Sequence, residues 1–219
     1  MRSIILGVLL TLTAAAQQHP MQHDQDKTLK GTGKMPEGWQ ARLDDPSAKL
    51  ESVIVKEEKN ALTFTTGPAG IYYKPDKKLA GNYEVSATFS QLKPSENPEG
   101  YGLFIGGTDL DKDTQRYTYF LIRQDGHYLI KARSGATAKP IVNWTAAAPM
   151  KDASVTKERS KTSNELAIRV AGDKVSFLIG GTQVRELPRA WVTSDGVAGI
   201  RINHNLDVQV TGFDVKKAG

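Results

Sequence analysis

The sequence contains no cysteine among its 219 residues. This excludes a disulfide scaffold, a thiolate zinc site, an iron–sulfur cluster, a cysteine nucleophile and a lipidated N-terminal cysteine. Histidine is also scarce, with four residues at 19, 23, 127 and 204, and His127 and His204 are not spaced to share a metal ion. We therefore predict no metal site and no cofactor in the folded part of the protein.

Long apolar runs and strong charge are missing as well. The most apolar stretch, residues 4–12, is far shorter than the roughly 20 residues that span a bilayer. The net charge of +5 is small and spread along the chain, which argues against a nucleic-acid partner. The sequence predicts a globular protein without a membrane span, and it leaves the oligomeric state open.

The N-terminus has the three parts of a secretory signal peptide. Met1-Arg2 is positive, residues 4–12 are apolar, and the three alanines at 14–16 supply a small-residue cleavage site. We predict a signal peptide at 1–16 and a secreted or periplasmic protein; the alternative is a buried N-terminal helix. Residues 17–36 are polar and are expected to form a flexible leader, followed by one domain at 37–219.

Processing after residue 16 would place His19 third in the mature chain. A free amine, two backbone amides and an imidazole can surround Cu(II) or Ni(II) in a square plane. Cyclisation of the N-terminal Gln17 would remove the amine. Copper binding through His19 is therefore a hypothesis for the processed protein only.

Asp109, Asp111 and Asp113 are spaced like the carboxylates of a calcium loop. An EF-hand would add glycine at its sixth position and glutamate at its twelfth, where this sequence has Thr114 and Phe120. Two interpretations remain, a looser calcium site on a β-loop or a solvated turn. Lys112 within the run favours the turn.

From Trp39 onward, apolar residues recur at every second position. The segment 83–89 is typical, with Tyr, Val, Ala and Phe alternating with polar residues, as in a half-buried strand. Turn residues recur roughly every 8–12 positions without a long helical pattern, which predicts an all-β sandwich or barrel. In the last strand, Gly212 shifts the alternation and indicates a β-bulge.

Two hairpins are signalled by their turns, at Asp125-Gly126 and Gly172-Asp173. A two-residue turn at Asp125-Gly126 would place Arg123 opposite Tyr128, with Tyr119 on the same face. Both faces of this hairpin are apolar or aromatic, so we expect it in the middle of a sheet. Its second face would then be covered by a loop or used for recognition.

Three stretches resemble the concanavalin A-like lectin/glucanase superfamily, and its laminin G-like jelly rolls in secreted bacterial proteins. They are Gly100-Tyr-Gly-Leu-Phe-Ile-Gly-Gly107, Tyr117-Thr-Tyr-Phe-Leu-Ile-Arg123 with Asp125-Gly126, and Gly196-Val-Ala-Gly-Ile-Arg201 with the final strand. The resemblance implies a two-sheet antiparallel jelly-roll β-sandwich. Members often bind glycans, and some hydrolyse them.

The glucanase members of that superfamily carry a Glu-x-Asp-x-x-Glu strand, and this sequence contains no Glu-x-Asp. Because hydrolysis needs a pair of carboxylates, we predict no glucanase-type active site. The leading hypothesis is a non-catalytic module that binds a glycan or polysaccharide. The alternatives are a sugar-derivative hydrolase that looks similar to keto-glycoside hydrolases, with a site built from loops, and a structural envelope protein without a small ligand.

Aromatic rings stack on sugars, and polar groups beside them bind the hydroxyls. The predicted ligand contacts are Tyr101, Tyr119, Arg123, Tyr128 and Trp144, with Trp191 as a further aromatic candidate. Aromatic residues more often serve a core. Tyr119 and Arg123 are the strongest candidates because they lie on the second face of the predicted central hairpin.

Overall fold

A computed structural model describes residues 24–150 and 162–217. The predicted signal peptide and His19 lie outside the described residues. The described parts form fourteen strands, joined by turns and three short 3₁₀ turns at Leu50–Ser52, Ala148–Met150 and Arg189–Trp191. The strands are β1 (Gln40–Leu43), β2 (Val53–Glu58), β3 (Ala61–Thr66), β4 (Gly70–Leu79), β5 (Tyr83–Gln91), β6 (Gly100–Thr108), β7 (Arg116–Arg123), β8 (His127–Ser134), β9 (Thr137–Ala146), β10 (Thr162–Ala171), β11 (Lys174–Ile179), β12 (Thr182–Pro188), β13 (Gly196–Ile202) and β14 (Asp207–Lys217).

The strands form two antiparallel sheets of seven strands each. The front sheet has the order β1-β4-β13-β6-β7-β8-β9, and the back sheet has the order β12-β11-β10-β5-β14-β3-β2. The two sheets pack as a β-sandwich, which confirms the predicted all-β jelly-roll class. No helix among the described residues is long and apolar enough to cross a membrane.

The core lies between the sheets because each strand turns every second side chain inward. In β5, buried and partly exposed residues alternate from Tyr83 to Gln91. Aromatic rings connect the two layers, with centroids 5.3 Å apart for Phe120 and Phe177 and 6.0 Å apart for Phe89 and Tyr101. Burial of these rings contributes much of the hydrophobic stabilisation of the sandwich.

Two of the local predictions are confirmed. Gly172-Asp173 joins β10 to β11 as a two-residue turn, since Ala171 pairs with Lys174. Gly212 lies in a β-bulge of β14, with positive φ and a register shift against β5 between Thr211 and Asp214. Gly is the residue that adopts this backbone conformation without strain.

The predicted register of the β7–β8 hairpin is wrong by one residue. Arg123 pairs with His127, so the loop has three residues, 124–126, rather than two. Gly126 takes a positive φ of 81° and its N–H donates to the Arg123 carbonyl at 3.1 Å, as in three-residue hairpins that end in a left-handed residue. Tyr128 therefore pairs with Ile122 and faces the core, away from Arg123.

Part of the expected leader lies against the sandwich. We name residues 24–34 the leader strap. The N–H of Gly31 donates to the Glu51 carbonyl at 2.7 Å, and the Lys27 N–H and Nζ donate to Oδ1 and the carbonyl of Asn205 at 2.7 and 2.9 Å. The described part of the 17–36 segment is thus fixed by hydrogen bonds, although it contributes few apolar side chains.

Candidate functional site

The outer face of the front sheet, here called the front face, carries a second set of buried side chains. It forms a cluster separate from the core between the sheets, made of Ile71, Tyr73, Phe104, Leu110, Tyr117, Tyr119, Leu121, Leu129 and Val197. An outer sheet face that faces only water would alternate toward polar residues. On the second face of the β7–β8 hairpin, Tyr117, Tyr119, Leu121 and Leu129 are buried largely by one another and by their neighbours in this cluster. Both expectations for this face, cover by a loop and use in recognition, therefore have to be judged from its remaining contacts.

A buried ionic group crosses this face, and we name Asp44, Arg133 and Arg201 the Asp44 clasp. Arg201 donates from Nη1 and Nη2 to the two carboxylate oxygens of Asp44, at 3.0 and 2.6 Å. Arg133 Nη1 lies 3.3 Å from Asp44 Oδ2. Arg201 Nη1 also donates to the Tyr117 hydroxyl at 3.1 Å, and its guanidinium lies 4.8 Å from the centre of the Tyr119 ring.

The clasp shows that the front face is concave. Asp44 follows β1 at one edge of the sheet, whereas Arg133 is on β8, five strand positions away. Five spacings amount to about 24 Å along the sheet, much more than an aspartate and an arginine side chain can span together. Their 3.3 Å contact therefore requires the front sheet to curl around this face.

Electrostatics keep the clasp ionised. Burial opposes ionisation of Asp44, but the charges and hydrogen bonds of Arg201 and Arg133 outweigh it and lower its pKa to about 2. Burial raises the pKa of Tyr117 and Tyr119, although the charge of Arg201 opposes this. Two guanidinium groups against one carboxylate leave the clasp with a net positive charge.

Next to β1, the edge of the front face is covered by a loop that Arg42 holds in place. Arg42 Nη1 donates to the Leu110 carbonyl at 3.3 Å, and its Nη2 lies 3.2 Å from Asp113. These contacts attach the loop between β6 and β7 to β1, so that Leu110 is buried over the face. Tyr119 is only 4% exposed because it packs against the Tyr117 ring and beneath the Arg201 guanidinium.

The same loop bears on the calcium hypothesis. Asp109 accepts from Lys112 Nζ at 2.9 Å, and Asp113 is paired with Arg42. Among residues 24–150 and 162–217, no three acidic or histidine side chains converge as metal ligands would. The ion pairs at Asp109 and Asp113 agree with the solvated-turn interpretation.

An accessible site lies where β7 turns into β8, and we name Gly100, Arg123, Asp125, His127 and Trp144 the Trp144 rim. The Arg123 guanidinium lies 4.3 Å from the centre of the indole ring, and its Nε donates to Asp125 Oδ1 at 2.8 Å. His127 Nδ1 lies 3.1 Å from the same carboxylate oxygen. All three polar side chains are partly exposed.

A cleft of about 520 Å³ opens beside the Asp44 clasp. It is lined by Asp24, Asp26, Asp44, Asp45, Pro68, Ala69, Arg201, Asn203 and His204. His204 connects the leader strap to the sandwich, since its Nε2 lies 2.8 Å from Glu99 and its Nδ1 lies 3.2 Å from Asp26. The hydrogen bond with Glu99 is the main cause that raises the pKa of His204 to about 9.

The structure separates the predicted ligand contacts into two groups. Tyr119, Arg123 and Trp144 lie on the front face, and Arg123 and Trp144 are in contact. Tyr101 and Tyr128 instead point between the sheets and are 2% and 4% exposed. The physical reasons are the strand alternation at Tyr101 and the three-residue loop before His127, which turns Tyr128 inward.

Sequence reasoning missed the clasp and the strand that carries Trp144. Strand β9 has Lys139, Pro140 and Asn143 in its middle and shows no clean apolar alternation. It is an edge strand of the front sheet, and charged residues and proline are typical of edge strands. Arg201 could have been found, because it is a charged residue at an inner position of a strand with apolar neighbours. Asp44 gives no local signal, since it acts through partners 89 and 157 residues away.

Comparison with known proteins supports the fold and not a family. No family model and no curated protein matches this sequence. Among solved structures, the carbohydrate-binding module CBM66 from Bacillus subtilis is similar with a TM-score of 0.60 and 8% identity, over 82% of this chain and 96% of that one. A Bacillus subtilis protein of galectin-like fold gives a TM-score of 0.57 at 11% identity, over 82% and 89%. A native glycosidic hydrolase gives 0.54 at 12% identity, over 88% and 97%.

Proposed function

We propose that this protein is a secreted, non-catalytic module that binds a glycan at the front face. The observation that carries this proposal is the Trp144 rim, in which the Arg123 guanidinium stacks on the indole ring and also pairs with a carboxylate that an imidazole contacts. Sugar rings present C–H groups that pack on aromatic surfaces and hydroxyls that bond to charged side chains. The rim offers both at the edge of a concave face.

The fold gives independent support. CBM66 is a carbohydrate-binding module and shares this architecture over nearly its whole length. Similarity at 8% identity establishes the architecture alone, because unrelated functions occur on one fold. The assignment of the site therefore rests on the residues of this chain.

The proposal includes export from the cytoplasm, by cleavage after residue 16. N-terminal sequencing of protein recovered from the cell exterior or periplasm should begin at Gln17. Retention of Arg2 in the recovered protein would contradict export by this route.

The binding test is a glycan array followed by titration with the strongest hit. Trp144→Ala and Arg123→Ala should each lower affinity at least about tenfold, because each removes half of the stacked pair. Arg169→Ala is the matched control, and Trp191→Ala tests the remaining aromatic candidate. Trp191 is 64% exposed beyond β12, and Arg169 is paired with Glu84 on the back sheet.

Unchanged binding in both rim variants would reject the site. A glycan-negative array with a folded protein would instead favour the structural envelope protein. The array should also be read for hydrolysis, because turnover identifies the alternative in which a loop-built site acts on a sugar derivative.

Two observations favour the hydrolase alternative, and the first is that the native glycosidic hydrolase has a similar fold. The cleft also gathers Asp44 and Asp45 near His204. Glycoside hydrolysis needs a carboxylic acid that stays protonated near neutral pH. Interactions with Arg201 and Ser47 instead lower the pKa of Asp44 and Asp45, despite any burial. Binding is therefore the function that the geometry supports better.

A further inference from the structure

The Asp44 clasp has the geometry of a carboxylate-binding site that is already filled. Arg201 holds both oxygens of one carboxylate through its two terminal nitrogens. This two-bond arrangement is the one in which arginine binds the carboxylate of a ligand. Arg133 adds a second guanidinium to the same oxygen.

The positive charge at this site exceeds what the single negative charge of Asp44 can balance. Arg201 Nε is buried and has no hydrogen-bond partner. Lys131 lies next to Tyr119 in the β7–β8 register and adds a further cation on the same face. A site built only to neutralise Asp44 would need one guanidinium, whereas this one presents two with a lysine nearby.

Asp44 is also the most exposed member of the clasp. It follows a four-residue strand at the edge of the front sheet, which pairs with β4 alone. Its side chain is 28% exposed, whereas that of Arg201 is 6% exposed. The cleft of about 520 Å³ is lined by both residues, so a ligand could reach the guanidinium from the side where Asp44 enters.

We infer that Asp44 holds the place of a ligand carboxylate, and that a glycan bearing uronic acids displaces it from Arg201 and Arg133. The inference rests on the proposed glycan function and names its substrate class. The carboxylate of the sugar replaces that of Asp44, so the charge of the clasp is unchanged, and the Asp44 side chain rotates out into the cleft that it lines.

The test uses Asp44→Ala and galacturonate trisaccharide, with the carboxyl-reduced galactose trisaccharide as the neutral probe. Removal of the internal competitor should raise uronate affinity at least about tenfold and leave the neutral probe unaffected. Asp113→Ala is the matched control, since Asp113 pairs with Arg42 at the same edge of the sheet. It should leave uronate affinity unchanged.

A second readout covers the case in which Asp44→Ala folds poorly. Acetate and glucuronate should raise the melting temperature of Asp44→Ala, or of the isosteric Asp44→Asn, by several degrees more than that of the wild type. Acetamide and glucose should not. The double variant Asp44→Ala/Arg201→Gln should lose this carboxylate-dependent rise.

The outcomes separate the two proposals. No gain in uronate affinity and no carboxylate-dependent stabilisation would overturn the place-holder role, while neutral-glycan binding lost in Trp144→Ala would still support the proposed function. Carboxylate rescue in a protein that binds no glycan would keep the place-holder role and overturn the glycan function.

Discussion

Arg201 holds the Asp44 carboxylate through two hydrogen bonds, of 3.0 and 2.6 Å, across 157 residues of sequence. Because the pKa of Asp44 is lowered from 3.8 to about 2, the folded protein binds this proton less readily than the unfolded chain. The resulting stabilisation is fully present above pH 4 and is lost as the pH falls through 2. A shift of this size corresponds to about 2 kcal/mol.

Urea unfolding of the wild type and of Asp44→Asn at several pH values measures this pH-dependent stabilisation. We expect the difference in unfolding free energy between them to be largest near pH 6 and to shrink by about 2 kcal/mol by pH 2. Asp76→Asn, at an exposed position of β4, controls for the loss of one carboxylate. A difference that stays constant across this range would contradict the assigned pKa.

Tyr119 tests whether the front face acts as a packed layer. Its ring is buried against Tyr117, with centroids 5.7 Å apart, and beneath Arg201. Tyr119→Ala should lower the unfolding free energy by about 3–5 kcal/mol, as expected for truncation of a buried aromatic residue. Tyr119→Phe keeps the ring and should change it by less than about 1 kcal/mol. Equal, small effects of both substitutions would show that the ring is not packed.

The sequence predicts what depends on local pattern. Alternation finds most strands, and Gly172-Asp173 gives the correct hairpin because two residues suffice to specify the turn. The β7–β8 hairpin shows where this fails: Asp125-Gly126 fits both a two-residue and a three-residue loop, and the choice inverts the face of Tyr128. The Asp44 clasp depends on the curl of a whole sheet, which no short pattern encodes.

Gly100 leaves room for the indole of Trp144. A Cβ at this position would lie 3.0 Å from Trp144 Cη2 and 2.9 Å from Leu121 Cδ1. Both atoms are the ends of side chains, so Gly100→Ala should shift them at a cost of about 1–2 kcal/mol of stability. We expect glycan affinity to fall several-fold because the indole leaves its position beneath Arg123. Unchanged affinity, measured beside Trp144→Ala, would show that this position of the indole is not used for binding.

His204 should make the leader strap sensitive to alkaline pH. Its imidazolium bonds Glu99 and Asp26, and the Lys27 contacts with Asn205 lie on the same turn. The pKa is raised from 6.5 to about 9, so the folded state gains stability that is complete below pH 6.5 and is lost as the pH rises through 9. The loss should reach at most about 3 kcal/mol, since partial exposure screens these pairs.

Trypsin reports on the strap directly, because Lys27, Lys30 and Lys34 lie within it. In the wild type, cleavage at these lysines should accelerate between pH 7 and pH 10, after correction for the pH dependence of trypsin on an unfolded peptide. His204→Gln keeps a hydrogen-bonding side chain without the charge, so its strap should be cleaved rapidly already at pH 7. Asn97→Asp, which places a like charge beside Asp24, tests whether weakening the strap at another contact has the same effect. Equal cleavage of wild type and His204→Gln at pH 7 would exclude the imidazolium as the group that fastens the strap.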